Sequence, residues 1–516
     1  MTTRAAGGQL ASVDGSSARR GSWFAAALLL LLGMPAAWNL STWPSRVRYP
    51  GELGDNVEGV CLAETLHLRG GVAVYAPVTP DRFEAMIYGP LYYWLGAKLI
   101  DPENPAYRPL RVLSLFATLG CIGAVALMAF RLSHSGLAAV LAGLLVLSYG
   151  LVSTVGLSAR CDVVALALVF WGFVVAHRYR GSRGVLVSVP LIVLGLFFKQ
   201  QYVAPPLAVF LYLLLDRRWR LAAEFAGLTI LSGGALLAYF HFVVYPGQSL
   251  LWHLVDYSMI SLSWNRFGWG LLLFVIFFGV LTLLGLEFLR RHPDRLISTY
   301  LGCAVFLAVV TLAKEGSGTN YYLEPLLTIC PPVAALAAEC RKEAGRRVEI
   351  LCLLAVSLLV GTPMNALPPS PRDFVLDRSI QNYLRSNFKP GTLAAGVGVA
   401  TGELVRAGLD VPVSNFYQYT WLACRGTIPP AQLVAQFGRH RFGVVAIRLN
   451  LQDEQQAHQP NDVCLTEDLH RAILLNYRLV AALDLPVHQQ LEFPTRLYLW
   501  VPQGGPGREE TQTGEK

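Results

Sequence analysis

Apolar runs of about 20 residues, the helix length that crosses a bilayer, recur from Trp23 to residue 362. In hydrocarbon no water satisfies backbone groups, so such runs must be helices or strands of a closed barrel. They are continuous and lack the two-residue alternation of barrel strands, which excludes a β-barrel. Only 15% of the 516 residues are charged, against roughly 25% in soluble domains. A soluble enzyme, a disordered chain, a coiled coil and a secreted disulfide scaffold are thereby excluded. The expected fold class is mainly α, a polytopic helical membrane protein.

Spans are expected near 23–40, 109–130, 137–157, 163–177, 185–198, 202–215, 221–245, 268–289, 296–313, 322–339 and 347–362, about eleven transmembrane helices by the length rule. Basic residues orient them. With the N-terminus cytoplasmic, the inner connections carry Arg131, Arg178, Arg180, Arg183, Arg217, Arg218, Arg220, Arg290, Arg291, Arg295, Arg341, Lys342, Arg346 and Arg347. Beyond the first loop the outer connections carry only Arg160, Lys199, Arg266 and Lys314. The positive-inside rule reads this asymmetry as tail in, C-terminal domain out, in a plasma (inner) membrane. The net charge of +8 is explained by these topology residues and gives no reason to expect nucleic acid as a partner.

Four pieces follow: a cytoplasmic disordered tail (1–21), a transmembrane module (22–362) with a first extracytoplasmic loop (41–108), an extracytoplasmic domain (363–502) and a disordered tail (503–516). The first loop holds a helical stretch, Asn56–Leu68, and an aromatic stretch, Tyr88–Trp94, expected at the membrane interface. The C-terminal domain alternates strand 392–399, helix 401–408, strand 411–415, helix 430–438, strand 443–449, helix 465–475 and strands 477–484 and 495–502, a small α/β unit. Gly396 to Gly402 has a dinucleotide-like glycine pattern with its spacing off by one, on a side of the membrane where nicotinamide cofactors are scarce. Cys424 and Cys464 share the oxidising side, where a pair can form.

Ionisable groups near membrane depth are costly and usually functional. Here Asp55, Glu58, Arg160, Asp162, Lys199, Arg266, Lys314 and Glu315 all fall at outer span ends or in the first loop. Asp55 opens a helix with Glu58 three residues on, a capping-box pattern; an N-cap carboxylate facing a cavity also suits a general base. Glu58 is placed to raise the pKa of Asp55 by like-charge repulsion, or to join it around a divalent cation; the sequence itself requires no cofactor, and metal ligands are left open. Lys199 and Gln200 end an apolar run at headgroup depth, where snorkelling is the alternative to binding. Arg160 and Asp162 form either an ion pair or part of a site. Asn320, Tyr321 and Tyr322 offer an amide and hydroxyls to a sugar, or an aromatic belt.

The run Gly54-Asp55-Asn56-Val57-Glu58, then Tyr75-Ala76-Pro77 and Tyr88-Gly89-Pro90-Leu91-Tyr92-Tyr93-Trp94, resembles the first loop of GT-C glycosyltransferases. It is similar to bacterial relatives of protein O-mannosyltransferases and of lipid A aminoarabinose transferases. Ala159-Arg160-Cys161-Asp162, Phe198-Lys199-Gln200 and Asn320-Tyr321-Tyr322-Leu323-Glu324 follow in the same order, so the resemblance covers about residues 20–340. It implies a polyprenyl-phosphate-linked sugar donor, a lipid, glycan or protein acceptor, an inverting attack on the outer face, and Asp55 as base. Two positions depart from the pattern: the base's acidic neighbour is Asn56, and a later loop lysine is Tyr88. Tyr88 and Tyr92 remain expected substrate contacts, and phosphate neutralisation falls to Arg160, Lys199 and Arg266. The alternative classes are a non-catalytic lipid-linked-sugar flippase, though no paired halves are visible, and an inactive member that only recruits partners.

The topology makes a direct prediction: a reporter fused after residue 380 should be active only outside the cytoplasm, and cytoplasmic activity would overturn the orientation and the domain assignment together.

Overall fold

The computed structural model describes residues 15–53, 57–258, 261–361, 367–397, 400–453, 466–486 and 496–504. Asp55, Cys464, most of the N-terminal tail and the C-terminal tail from 505 lie outside them. All eleven apolar runs are helical. They form α1 (Gly15–Arg48), α4 (Arg108–Ser133), α5 (Gly136–Ser148) continued by α6 (Gly150–Val155), and α7 (Asp162–Arg178). Then come α8 (Val189–Phe198), α9 (Ala204–Leu215), α10 (Trp219–Tyr239), α11 (Trp264–Arg291), α12 (Arg295–Leu312), α13 (Leu323–Glu339) and α14 (Arg347–Gly361). Among the described residues six helices are long and apolar enough to cross a membrane, while α5, α8 and α9 are shorter. α1 begins at Gly15, so residues 15–21 are helix rather than tail.

The first loop carries α2 (Val57–Arg69) and α3 (Pro90–Leu99). The aromatic stretch is not an interfacial belt: Tyr92 and Tyr93 are fully buried under the loop, and only Trp94 reaches the surface. Gly89 allows this. Its N–H donates to the Phe198 carbonyl at 3.2 Å, and a Cβ there would strike the Phe197 carbonyl, so the loop can lie directly on the end of α8.

The C-terminal domain holds a four-stranded sheet in the order β1 (Ala394–Val397), β2 (Val444–Ile447), β4 (Arg496–Pro502), β3 (Tyr477–Asp484). β1 and β2 are parallel, with Ala394 opposite Val444, and the other two pairings are antiparallel. Helices α15 (Pro371–Asn387) and α17 (Phe416–Cys424) went unforeseen. The expected strand 411–415 is absent: Val413 instead bridges Phe83 of the first loop, and the Phe83 N–H donates to the Pro412 carbonyl at 3.0 Å. A segment rich in Val and Pro was drawn out of its own sheet to pair with the loop beneath. Cys424 is disulfide-bonded.

Loop and domain meet most closely where α2 crosses α16 (Thr401–Arg406). A Cβ on Gly59 would stand 2.6 Å from the Gly402 nitrogen, and one on Gly402 would stand 2.9 Å from the Gly59 Cα. The glycine pattern around 396–402 therefore serves helix-on-helix contact. Beside it the buried Glu64 carboxylate accepts from the Met86 N–H at 2.6 Å and the Ser414 hydroxyl at 3.1 Å. Burial raises this carboxyl to about 7, so near neutrality it joins loop and domain with its charged and neutral forms both populated.

Gly59→Ala and Gly402→Ala should each cost about 1–3 kcal/mol through overpacking and lower the melting temperature of the purified protein. Gly302→Ala, which would meet nothing within 4 Å, is the control; equal melting of all three proteins would contradict the contact.

Candidate active site

Two buried charge clusters form where the first loop lies on the ends of the spans. The first is built around Arg111, near the start of α4. Its guanidinium donates to the carbonyls of Arg46 and Gly51 at 3.2 and 2.6 Å and to the Tyr49 carbonyl. It also holds both oxygens of Glu58, at 2.9 and 2.6 Å. Glu58 accepts further from the Leu53 N–H at 2.7 Å and from the Ala159 N–H. Burial works against its charge, but Arg111 and these donors hold its carboxyl below the usual range. Glu58, expected beside the base or around a cation, is thus spent on fastening the loop. Among the described residues no His, Cys, Asp and Glu group that could hold a metal ion occurs; Asp55 is outside them.

The second cluster centres on Asp162. Its carboxylate opens α7, where the positive end of the helix dipole favours an anion. Lys199 caps the C-terminus of α8, where the dipole favours a cation. α7 and α8 pack extensively, so the start of one and the end of the other bring the two together: Lys199 Nζ lies 2.6 Å from Asp162 Oδ1. Arg160 Nε lies 3.2 Å from Asp162 Oδ2. Asn320, in the short turn that precedes α13, donates to Oδ1 at 2.7 Å, and the Tyr202 hydroxyl stands 3.5 Å away. All five side chains are buried. The Lys199 ammonium also lies over the rings of Tyr88 and Tyr321, 4.7 and 5.6 Å from their centroids.

Arg160, Asp162, Lys199, Asn320, Tyr321 and Tyr88, read separately from the sequence, therefore share one place. Tyr92 is buried below it, its ring 5.8 Å from that of Tyr93. Three expected contacts have other partners. Gln200 donates to the carbonyls of Ile87 and Leu254, at 2.8 and 3.3 Å, and so staples the loop to the segment after α10. The Tyr322 hydroxyl donates to the Gly270 carbonyl at 2.6 Å, inside the helix bundle. Arg266 pairs with Glu315 at 3.2 Å and donates to the Ser317 carbonyl at 2.8 Å.

Sequence reasoning missed Arg111 and Tyr202. An arginine opening an otherwise apolar span, in a chain with an acidic first loop, was the available signal for Arg111. Nothing in the local pattern marks Tyr202.

No protein-family model matches the sequence, and no curated protein matches it by sequence. Solved structures do. The chain superposes on ArnT from Cupriavidus metallidurans in the apo state with TM-score 0.60 and 11% identity, covering 92% of this chain and 98% of that one. With the same protein bound to undecaprenyl phosphate the TM-score is 0.60 and the identity 13%, covering 93% and 100%. The chain is a multi-pass helical membrane protein with the ArnT fold.

Because Glu58 neutralises a fully buried guanidinium, Glu58→Gln should not be mild. Leaving Arg111 uncompensated should cost about 3–5 kcal/mol, read as lost thermal stability of the purified protein. Full stability with lost turnover would instead return Glu58 to catalysis.

Proposed function

We propose that the chain is an inverting glycosyltransferase that uses a polyprenyl-phosphate-linked sugar on the extracytoplasmic face of the inner membrane. One observation carries the reading: Arg160, Lys199, Asp162 and Asn320 form a buried polar cluster at the ends of the spans, directly under the first loop. Buried charge at that depth is expensive and is retained for a task. Two cations around one carboxylate leave net positive charge, which suits a lipid phosphate. That ArnT binds undecaprenyl phosphate in a structure of the same fold supports the choice.

In this reading the acceptor hydroxyl attacks the anomeric carbon and gives its proton to Asp55. The bond from that carbon to the phosphate oxygen breaks, and its electron pair leaves with the polyprenyl phosphate. Cations stabilise the charge that develops there, with Arg160 and Lys199 in that role. Asp55 belongs to the segment between Leu53 and Val57, and Glu58 ties that segment's two flanks to Ala159, next to Arg160. The sugar and the acceptor, whether lipid, glycan or protein, are chosen by groups around this cluster and under the C-terminal domain.

Asp55→Asn keeps size and helix-capping ability but cannot take a proton. It should retain expression and donor binding while turnover falls on the order of 10²–10⁴-fold, the usual worth of a general base. Labelled donor and candidate acceptors incubated with the purified protein provide the assay. Transfer at the unmodified rate would reduce Asp55 to a helix cap.

A further inference from the structure

Beyond the first loop, the outer connections between spans contain Arg160, Lys199, Arg266 and Lys314 as cations. Three have carboxylate partners in the structure. Arg160 and Lys199 share Asp162, and Arg266 is engaged with Glu315 and the Ser317 carbonyl. Lys314 differs: it is half-buried, and its side chain makes no hydrogen bond or ion pair with the described residues.

The turn that carries Lys314 is nonetheless held firmly. Lys314 bridges Leu262, and the Glu315 N–H donates to the Ser261 carbonyl at 2.9 Å. The Ser317 hydroxyl returns to the Thr311 carbonyl at 2.9 Å, and Arg266 on α11 clamps Glu315 and Ser317 from the side. The charged group that acts on Lys314 is Lys199 at the end of α8, which is paired with Asp162 on α7; next to it in sequence, Glu315 is paired with Arg266 on α11. Glu315 is turned to Arg266 and Asp162 to Lys199 and Arg160. Burial, and then the positive charge of Lys199, bring the Lys314 ammonium down to about 8. An ammonium fixed in a partly desolvated place, near a second cation and without a carboxylate, is an arrangement that an incoming anion completes.

We propose that Lys314, on a turn positioned by Arg266, contacts the phosphate of the lipid-linked donor and completes the cationic site begun by Lys199. This rests on the donor reading above and gives Arg266 a different part in it: Arg266 places the lysine instead of meeting the phosphate itself. A phosphate ester on a lipid carrier has the required charge and depth. A phospholipid headgroup shares that chemistry, so the test must separate the two.

The test is binding of undecaprenyl phosphate to the purified full-length protein in detergent between about pH 7.5 and pH 9.5. The phosphate's second ionisation lies near pH 6, so its charge is constant over this interval while Lys314 loses its own. Wild-type affinity should fall with rising pH. Lys314→Gln should bind at least roughly tenfold more weakly at the lower pH, the lower end for a hydrogen bond to a charged group, and should show no fall. Lys314→Arg should retain affinity and lose the pH dependence, since a guanidinium does not titrate in this range. Arg266→Gln should weaken binding and move the midpoint of the pH profile, which a purely structural loss would leave in place. The inference is overturned alone if wild type binds and Lys314→Gln matches it in affinity and pH profile. It is also overturned if phosphatidylglycerol displaces the probe as well as unlabelled undecaprenyl phosphate does. Wild-type protein that fails to bind the probe overturns the donor reading, and this inference with it.

Discussion

One guanidinium fixes the geometry on which the candidate site depends. Arg111 is fully buried, and at that depth every donor must find an acceptor. It finds carbonyls at the end of α1 and in the start of the first loop, and both oxygens of Glu58 in α2. Glu58 in turn accepts from Leu53 and from Ala159, just ahead of α7. Three pieces of chain that are distant in sequence (the end of α1 with the start of the first loop and α2, the start of α4, and Ala159) are thus tied at one point, and Asp55 falls in sequence between two of the attachments. A buried pair of this kind contributes little net stability against an apolar alternative, but losing one partner is severe. Its effect here is positional.

The Asp162 cluster follows from helix direction. α7 begins and α8 ends at the same end of the bundle, so a carboxylate at the first helix's N-terminus and a lysine at the second's C-terminus each meet a favourable dipole and then each other. The antiparallel pair brings them together before any loop is placed. Asn320 and Tyr202 then fill the remaining hydrogen-bonding capacity of the carboxylate. Above, the first loop is sealed by the C-terminal domain through Glu64, Ser414 and the Gly59–Gly402 crossing.

Much of this was legible in the amino-acid sequence, for identifiable reasons. Bilayer length marks apolar runs one by one, and all of them are helices. The helix expected at Asn56–Leu68 is described as Val57–Arg69, because its capping signal is local. That Arg160, Asp162, Lys199 and Asn320 share one end of the bundle was readable from their places at the ends of apolar runs. What escaped depends on contacts between distant segments. The stretch 411–415 has strand composition but pairs with Phe83, 330 positions earlier in the chain. Tyr92 and Tyr93 have interfacial composition, yet the loop folds over them and buries them completely. Gln200 and Arg266 have the chemistry of ligand contacts and are spent on backbone carbonyls and Glu315. Periodicity and composition report a residue's own preference, and these residues are placed by their neighbours.

The central claim is that the polar cluster under the first loop receives a lipid phosphate from the outer leaflet. Photo-crosslinking tests it most directly, using a diazirine-bearing undecaprenyl phosphate in proteoliposomes with mapped adducts. The account predicts adducts within residues 88–94, 199–202 and 314–322, removed by unlabelled undecaprenyl phosphate. Adducts spread evenly over the lipid-facing helices, or concentrated at their cytoplasmic ends and indifferent to competitor, would contradict it.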